Sequence, residues 1–414
     1  MISRTLPFLI LVFTALASTA VLADDWPAWR GPERSGHTKE TGLPTQWSAK
    51  SVVWKTALPG QGQSSPVVWG DRIFLTAALD KGKKRIVFCV DRTKGNILWQ
   101  EVAWEGVPEP SHPMNGWASA TCATDGERVI AFFGKGGLHC FSVDGKKLWS
   151  RDLGAFPGPW GTSACPLIVG DNVVQNCDST KGSHLLAVDK RTGKDVWKTP
   201  RPDYDKGGWS SPILVDAGTR KEIILNGERE VIGYDPETGK QLWTCKSFAG
   251  RGEPTVTPGI GNVYVINGIS GDIYSVKLGG SGNVTKSHMI WHTPRKVRRD
   301  EPSPILVGKY LVVSDMDGIV TCYDSNTGTP LWKERLRGRE FTASPIAAGG
   351  LVYFLDDAGV TTVLEPGPTF KLIAENSVGA ASSEIFRASL TPAHGQILAR
   401  SQTHLYCIGK GKGE

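Results

Sequence analysis

From about residue 50 onward the chain is a succession of brief apolar stretches, each cut off by a turn. Val67-Val68-Trp69 stops at Gly70-Asp71, Arg72-Ile73-Phe74-Leu75 follows, and Leu351-Val352-Tyr353-Phe354 begins after Gly349-Gly350. Helix-forming runs are scarce. Short β-branched and aromatic runs bounded by Gly, Asp and Asn predict strands joined by tight turns, and hence an all-β protein.

The strands belong to a repeat. Ala187-Val188-Asp189-Lys190-Arg191-Thr192-Gly193-Lys194-Asp195-Val196-Trp197 is its cleanest copy. Gly233-Tyr234-Asp235 … Thr238-Gly239-Lys240 … Trp243, Cys322-Tyr323-Asp324 … Thr327-Gly328 … Trp332 and Cys89-Val90-Asp91 … Gly95 … Trp99 follow the same plan. Trp54, Trp99, Trp149, Trp197, Trp243, Trp291 and Trp332 recur roughly every 40–50 residues, the length of one four-stranded propeller blade. The repeat is structural in its chemistry. Asp accepts local backbone N–H groups, Gly supplies a positive φ, and the strand that follows presents a large flat Trp for packing across a seam to the adjacent blade.

A second motif opens each blade. Ser64-Ser65-Pro66-Val67 is matched by Ser210-Ser211-Pro212-Ile213, Pro302-Ser303-Pro304-Ile305 and Ala343-Ser344-Pro345-Ile346. Counting such starts gives eight, near Ser64, Ser119, Ser163, Ser210, Glu253, Ser303, Ser344 and Ser389. The last blade ends after His404-Leu405-Tyr406-Cys407 without a fourth strand, while Val52-Val53-Trp54-Lys55-Thr56 is a fourth strand with no blade before it. The expected fold is an eight-bladed β-propeller of four-stranded antiparallel blades over residues 50–409, closed by the N-terminal strand completing the last blade, which removes both open edges. Blade seven carries Ile373 where Trp stands elsewhere.

Composition changes the picture at the ends. Arg4 precedes the apolar run Leu6 to Ala17, and Val21-Leu22-Ala23 precedes Asp24, which predicts a secretory signal peptide of residues 1–23 cleaved after Ala23. No Cys follows that site, which argues against a lipid anchor. A leader of residues 24–49 then precedes the ring, and residues 410–414 form a tail. The expected location is the periplasm or the exterior. The net charge of +6 is spread along the chain, and the Arg295-Lys296-Val297-Arg298-Arg299 cluster reads as a solvated loop, so no nucleic-acid partner is expected. No second span is expected, and the chain should be a monomer.

The Ala-x-Asp-x-x-Thr-Gly-Lys-x-x-Trp pattern resembles the tryptophan-docking motif of pyrroloquinoline-quinone (PQQ)-type propellers, over about Lys50 to Gly409. The opening Asp25-Trp26-Pro27-Ala28-Trp29-Arg30-Gly31-Pro32 … Trp47 looks like the leader of PQQ-like repeat proteins of planctomycete-type bacteria. In size and blade count the chain is similar to the BamB family of outer-membrane assembly factors, lipoprotein scaffolds rather than enzymes. The dehydrogenases of the superfamily use an adjacent Cys pair against the quinone and a calcium held by Glu, Asn and Asp. No two Cys are adjacent here, and no calcium-ligand set is placed on matched positions. PQQ with Ca²⁺ remains a cofactor option without matched ligands.

The loops entering the first strands should converge on one mouth of the channel, the default ligand site of a ring. They bring Gln63, Trp117, Trp160, Trp209, Glu253, Glu301, Thr342 and Arg387 to that mouth, with Arg251, Arg299 and Arg339 just upstream. The three Trp would offer an aromatic platform. Glu253 and Glu301, in matching Glu-Pro-Thr and Glu-Pro-Ser contexts, would bind a divalent cation or share a proton, or else pair with the neighbouring arginines. Cys89, Cys140, Cys322 and Cys407 sit on different blades, too far apart to bridge, while Cys165 and Cys177 on the first two strands of blade three leave one disulfide open. His288 and His292 do not have ligand spacing on a strand, and there is no phosphate loop, zinc motif or nucleophile elbow.

Three functions follow as expectations. The first is a non-catalytic binding or scaffold protein for a protein or polymer partner. The second is a PQQ-dependent oxidoreductase with an atypical site. The third is a carbohydrate-binding or lyase-like propeller.

Overall fold

The computed structural model describes residues 25–246, 250–269, 271–295, 299 and 302–410. The predicted signal peptide, residues 296–298, Glu301 and the last four residues lie outside the described residues.

Among the described residues the strands form eight sheets arranged as blades of a propeller. Blade 1 is Val67–Trp69, Arg72–Leu79, Lys84–Asp91 and Ile97–Glu105, running from the central channel outward as an antiparallel meander. Blades 2 to 7 repeat this order, with first strands at Ala123–Thr124, Leu167–Val169, Ile213–Asp216, Thr257–Pro258, Ile305–Val307 and Ile346–Ala348. Blade 8 takes Thr391–Ala393, Gln396–Arg400 and His404–Ile408 from the end of the chain and Val52–Ala57 as its outer strand. The ring is therefore closed by backbone pairing of Thr56 with Leu405 and Lys55 with Tyr406. Blade 4 carries one strand more than expected: Gly282–Asn283 pairs in parallel with the outer strand Gln241–Lys246.

The repeat explains the seams. Where an outer strand carries the Trp, it lies opposite a small residue of the third strand: Cys89 faces Trp99, Cys140 faces Trp149, Ala187 faces Trp197, Cys322 faces Trp332 and Cys407 faces Trp54. A small residue there leaves room for the indole to lie over the strand. Each ring then reaches the next blade. Trp54 Nε1 donates to Arg92 O, Trp99 to Val143 O, Trp149 to Lys190 O, Trp291 to Ser325 O and Trp332 to Gly367 O, each at 3.0 Å. The turn glycine beneath is obligatory: Gly193 has φ +71°, and a Cβ there would fall 2.8 Å from the Trp149 ring.

Trp243 departs from this pattern. It is fully buried in its own blade, donates from Nε1 to Glu222 Oε2 at 2.8 Å, and packs with Leu278 and Val284. Blade 5 has no Asp-x-x-Thr-Gly turn to receive it. An insertion containing Gly282–Asn283 and the short helix Thr285–His288 covers the ring instead.

The leader is part of the fold. Trp26 is 1% exposed and exchanges two backbone bonds of 2.9 Å with Val68 of blade 1. The chain then accepts from Thr124 of blade 2 at Pro27 O and reaches Ala347 of blade 7 and the His394-Gly395 turn of blade 8. Arg30 Nη2 donates to Pro304 O of blade 6, and Arg34 Nη2 donates to Pro166 O of blade 3. One short segment can bond to walls that far apart around the ring only by crossing the channel axis. The leader thereby closes the end of the channel at which the first strands finish.

Candidate functional site

The open end of the channel is a cavity of about 260 Å³ lined by loops that enter the first strands. Its walls include Gln63, Trp160, Trp209, Arg251, Glu253, Arg299, Thr342 and Arg387. Two of the expected residues lie elsewhere. Trp117 packs its ring against Gly82 and donates to Glu109 O at 2.8 Å, because the 106–118 loop folds back over blade 1. Arg339 is exposed, and its backbone N–H caps Asp356 at 2.9 Å. Glu301 lies outside the described residues.

The aromatic wall is a pair. The rings of Trp160 and Trp209 stand 5.9 Å apart at 35°, and the Arg251 guanidinium lies 4.3 Å over Trp160. Half-buried polar contacts hold these loops. Asn115 Nδ2 donates to Trp160 O at 2.8 Å, and Trp209 Nε1 donates to Gly161 O at 2.9 Å. Behind Trp209, Arg201 forms a forked pair with Asp178 at 2.7 and 3.0 Å, both buried, and donates to Tyr204 Oη at 3.0 Å. Burial pushes the Asp178 carboxyl up even so.

The mouth charges meet partners on the wall. Glu253 Oε1 is 3.5 Å from Arg251 Nη1 and 3.6 Å from Arg299 Nη2. Arg387 Nε is 3.0 Å from Asp357 Oδ2, whose other oxygen accepts from Thr342 Oγ1 at 2.6 Å. Burial raises the Asp357 carboxyl, and the hydrogen bond from Thr342 and the Arg387 charge oppose that shift. Glu253 is thus engaged by two guanidiniums, and no group of three His, Cys, Asp or Glu side chains suited to a metal occurs among the described residues.

Below the mouth the wall narrows to a collar with one short polar side chain per blade. Ser65 N donates to Thr121 Oγ1 at 2.8 Å, Thr121 N to Cys165 Sγ at 3.3 Å, and Cys165 N to Ser211 Oγ at 2.9 Å. Ser211 N continues to Thr255 at 2.9 Å, Thr255 N to Ser303 at 3.0 Å, and Ser303 N to Ser344 at 2.9 Å. Ser389 N closes onto Ser65 Oγ at 2.9 Å, while Ser389 Oγ accepts from Trp29 Nε1 of the leader at 3.3 Å. The Ser-Pro starts foreshadow this collar. Cys165 stands for Ser before Pro166, Thr121 holds the register without a following Pro, and Trp29 enters from a segment outside the repeats. Cys165 belongs to the collar and Cys177 to the seam with blade 2. All eight cysteines are free and buried, so the open Cys165–Cys177 pairing does not form.

Comparison with known proteins fits this geometry. A family profile described as "Outer membrane protein assembly factor BamB" matches residues 38–177, 181–272 and 280–367. The chain belongs to this family of PQQ-like propellers. It is 26% identical over 322 residues to the outer membrane protein assembly factor BamB of Burkholderia pseudomallei (strain K96243), covering 74% of this chain and 75% of that one. It is 33% identical over 150 residues to the quinoprotein alcohol dehydrogenase PedH of Pseudomonas putida, covering 32% of this chain and 23% of that enzyme. In fold it matches the crystal structure of BamB from Moraxella catarrhalis with a TM-score of 0.63 at 18% identity, covering 88% of this chain and 98% of that one. A computationally designed protein, Ika8, matches nearly as well, with a TM-score of 0.61 at 12% identity and coverage of 86% and 98%. That second match bears on shape alone, since one fold hosts unrelated activities. No helix among the described residues is long and apolar enough to cross a membrane.

Proposed function

We propose that this protein is a non-catalytic binding scaffold of the bacterial envelope, using the channel mouth and its loops to hold a protein or polymer partner. The observation that carries this reading is the mouth itself. The Trp160–Trp209 pair is presented at the rim, while the acids around it are engaged by Arg251, Arg299 and Arg387. A site with its charges paired and an aromatic surface presented is suited to recognition. Membership of an assembly-factor family supports the same reading. Export through the predicted signal peptide would place the chain in that compartment. The test is site-specific photocrosslinking from His112 and Met114, which line the same mouth, in envelope preparations. One adduct that recurs from both positions and is lost in the Trp160→Ala/Trp209→Ala chain supports the proposal. Adducts that are absent or unaffected overturn it.

A quinoprotein oxidoreductase is the second reading, favoured by the segment shared with the Pseudomonas alcohol dehydrogenase. It requires saturable quenching of Trp fluorescence by PQQ, dependent on calcium and weakened in Glu253→Gln. No quenching at high micromolar PQQ would remove it.

A further inference from the structure

The waist of the channel points to a ligand that the mouth does not account for. Ser65, Thr121, Ser211, Thr255, Ser303 and Ser344 each accept a backbone N–H from the blade beside them, and Ser389 accepts from Trp29. An accepting hydroxyl still has a proton to donate. Among the described residues none of these seven hydroxyls donates to a protein acceptor, and all seven line the cavity while being at least nine-tenths buried. The collar is therefore a ring of donors turned toward the axis.

Three buried guanidiniums surround it. Arg30 bonds to Pro304 O, next to Ser303; Arg34 bonds to Pro166 O, next to Cys165; Arg400 bonds to Ser64 O, next to Ser65. Each is at most 2% exposed, and among the described residues none has a carboxylate within ion-pair distance. Arg30 Nε and Nη1, Arg34 Nη1 and Arg400 Nε lack hydrogen-bond acceptors as well. Burial without a counter-charge pulls Arg30 and Arg400 down to about 9 and Arg34 to about 10, so all three remain cationic at neutral pH. Burying unpaired charge is costly, and water in the channel would satisfy the hydroxyls without neutralising the cations.

We propose that the collar binds a small oxyanion on the channel axis, through a phosphate, sulfate or carboxylate group that enters by the open mouth. The hydroxyls supply converging donors, and the three arginines supply the field that favours a negative charge. The site lies below the Trp160–Trp209 pair, and it stands or falls independently of what binds at the mouth.

The experiment is calorimetric titration of the full chain, in Tris chloride, with phosphate, sulfate and acetate, and with acetamide as the neutral control. Saturable binding of at least one oxyanion is expected, together with a rise in melting temperature and no response to acetamide. Thr255→Ser keeps the hydroxyl and should bind normally, while Thr255→Val should weaken binding about tenfold, as for one lost hydrogen bond to a charge, and Arg30→Met should weaken it by removing part of the field. Crystals of the unaltered chain grown with selenate give a readout independent of variant folding: an anomalous peak on the axis at the collar supports the site. The proposal is overturned by no saturable binding, by binding unchanged in both variants, or by selenate found only elsewhere. Loss of the mouth reading would show instead as normal oxyanion binding in a chain without a crosslinked partner.

Discussion

The two ends of the channel are built on opposite terms. At the mouth the loops differ from blade to blade, and the acids are matched on the wall: Glu253 by Arg251 and Arg299, Asp357 by Arg387. Below it one repeated register builds the collar, and among the described residues the cations brought there by the leader hydrogen-bond only to carbonyl groups. The difference follows from position in the repeat. Loops between blades are free to vary, whereas first strands crowd around the axis, where only short side chains fit. Charges at a rim settle with neighbours and solvent, while charges forced under a collar do not.

That contrast can be tested from its strongest element to its weakest. Trp26→Ala should cost about 4 kcal/mol in denaturant unfolding, because a buried indole tethering the leader to Val68 is replaced by a void. A loss under 1 kcal/mol would mean that the leader is not an integral plug. Asp178→Ala should cost about 3 kcal/mol, since it strands the buried Arg201 guanidinium behind the Trp209 loop. Measured alongside Asp178→Asn, it separates lost charge from lost packing.

Glu384, on the mouth side of blade 8, gives a pH signature. It accepts from Lys55 Nζ at 2.8 Å, Ser401 Oγ at 2.7 Å and Tyr406 Oη at 2.7 Å, joining the N-terminal closing strand to the last blade. Burial raises its carboxyl, but those hydrogen bonds outweigh burial and hold it at about 2, below its ordinary 4.5. Its contribution is complete above pH 4.5 and lost as pH falls through about 2. Glu384→Gln should remove about 2 kcal/mol near neutrality and flatten that acid limb, as read by unfolding at stepped pH. Trp160→Ala should change stability by less than about 1 kcal/mol, because its ring lies at a half-exposed rim, while abolishing mouth crosslinks. Finally, the intact fold should leave the seven thiols outside the collar unreactive to a thiol reagent, and denaturant should release them; burial already lifts Cys89 and Cys407 to about 12.

Much of the ring was legible along the chain because its physics is local and repeats. An Asp-x-x-Thr-Gly turn, a small residue opposite a Trp and a Ser-Pro start specify a blade wherever they occur. The missing fourth strand after Cys407 and the spare strand at Val52 were enough to locate the closure. Trp160, Trp209, Arg251, Glu253, Arg299 and Arg387 could be assigned to one mouth by aligning the same loops. The failures came where one blade departs from the repeat or a segment lies outside it. Trp243 turned inward because an insertion replaced the turn it would have met, and Trp117 followed a loop folded back over its own blade.

What the amino-acid order determined by itself was the blade, its number and the face on which loops gather, since each is set by residues a few positions apart. What only the tertiary structure decided was the channel. Thr121 and Cys165 are collar residues because neighbouring blades present backbone N–H groups to them, and Arg30 and Arg34 are buried cations because the leader crosses the axis. The leader contacts join residues 274 and 132 positions apart, and no periodicity along the chain encodes that they will meet.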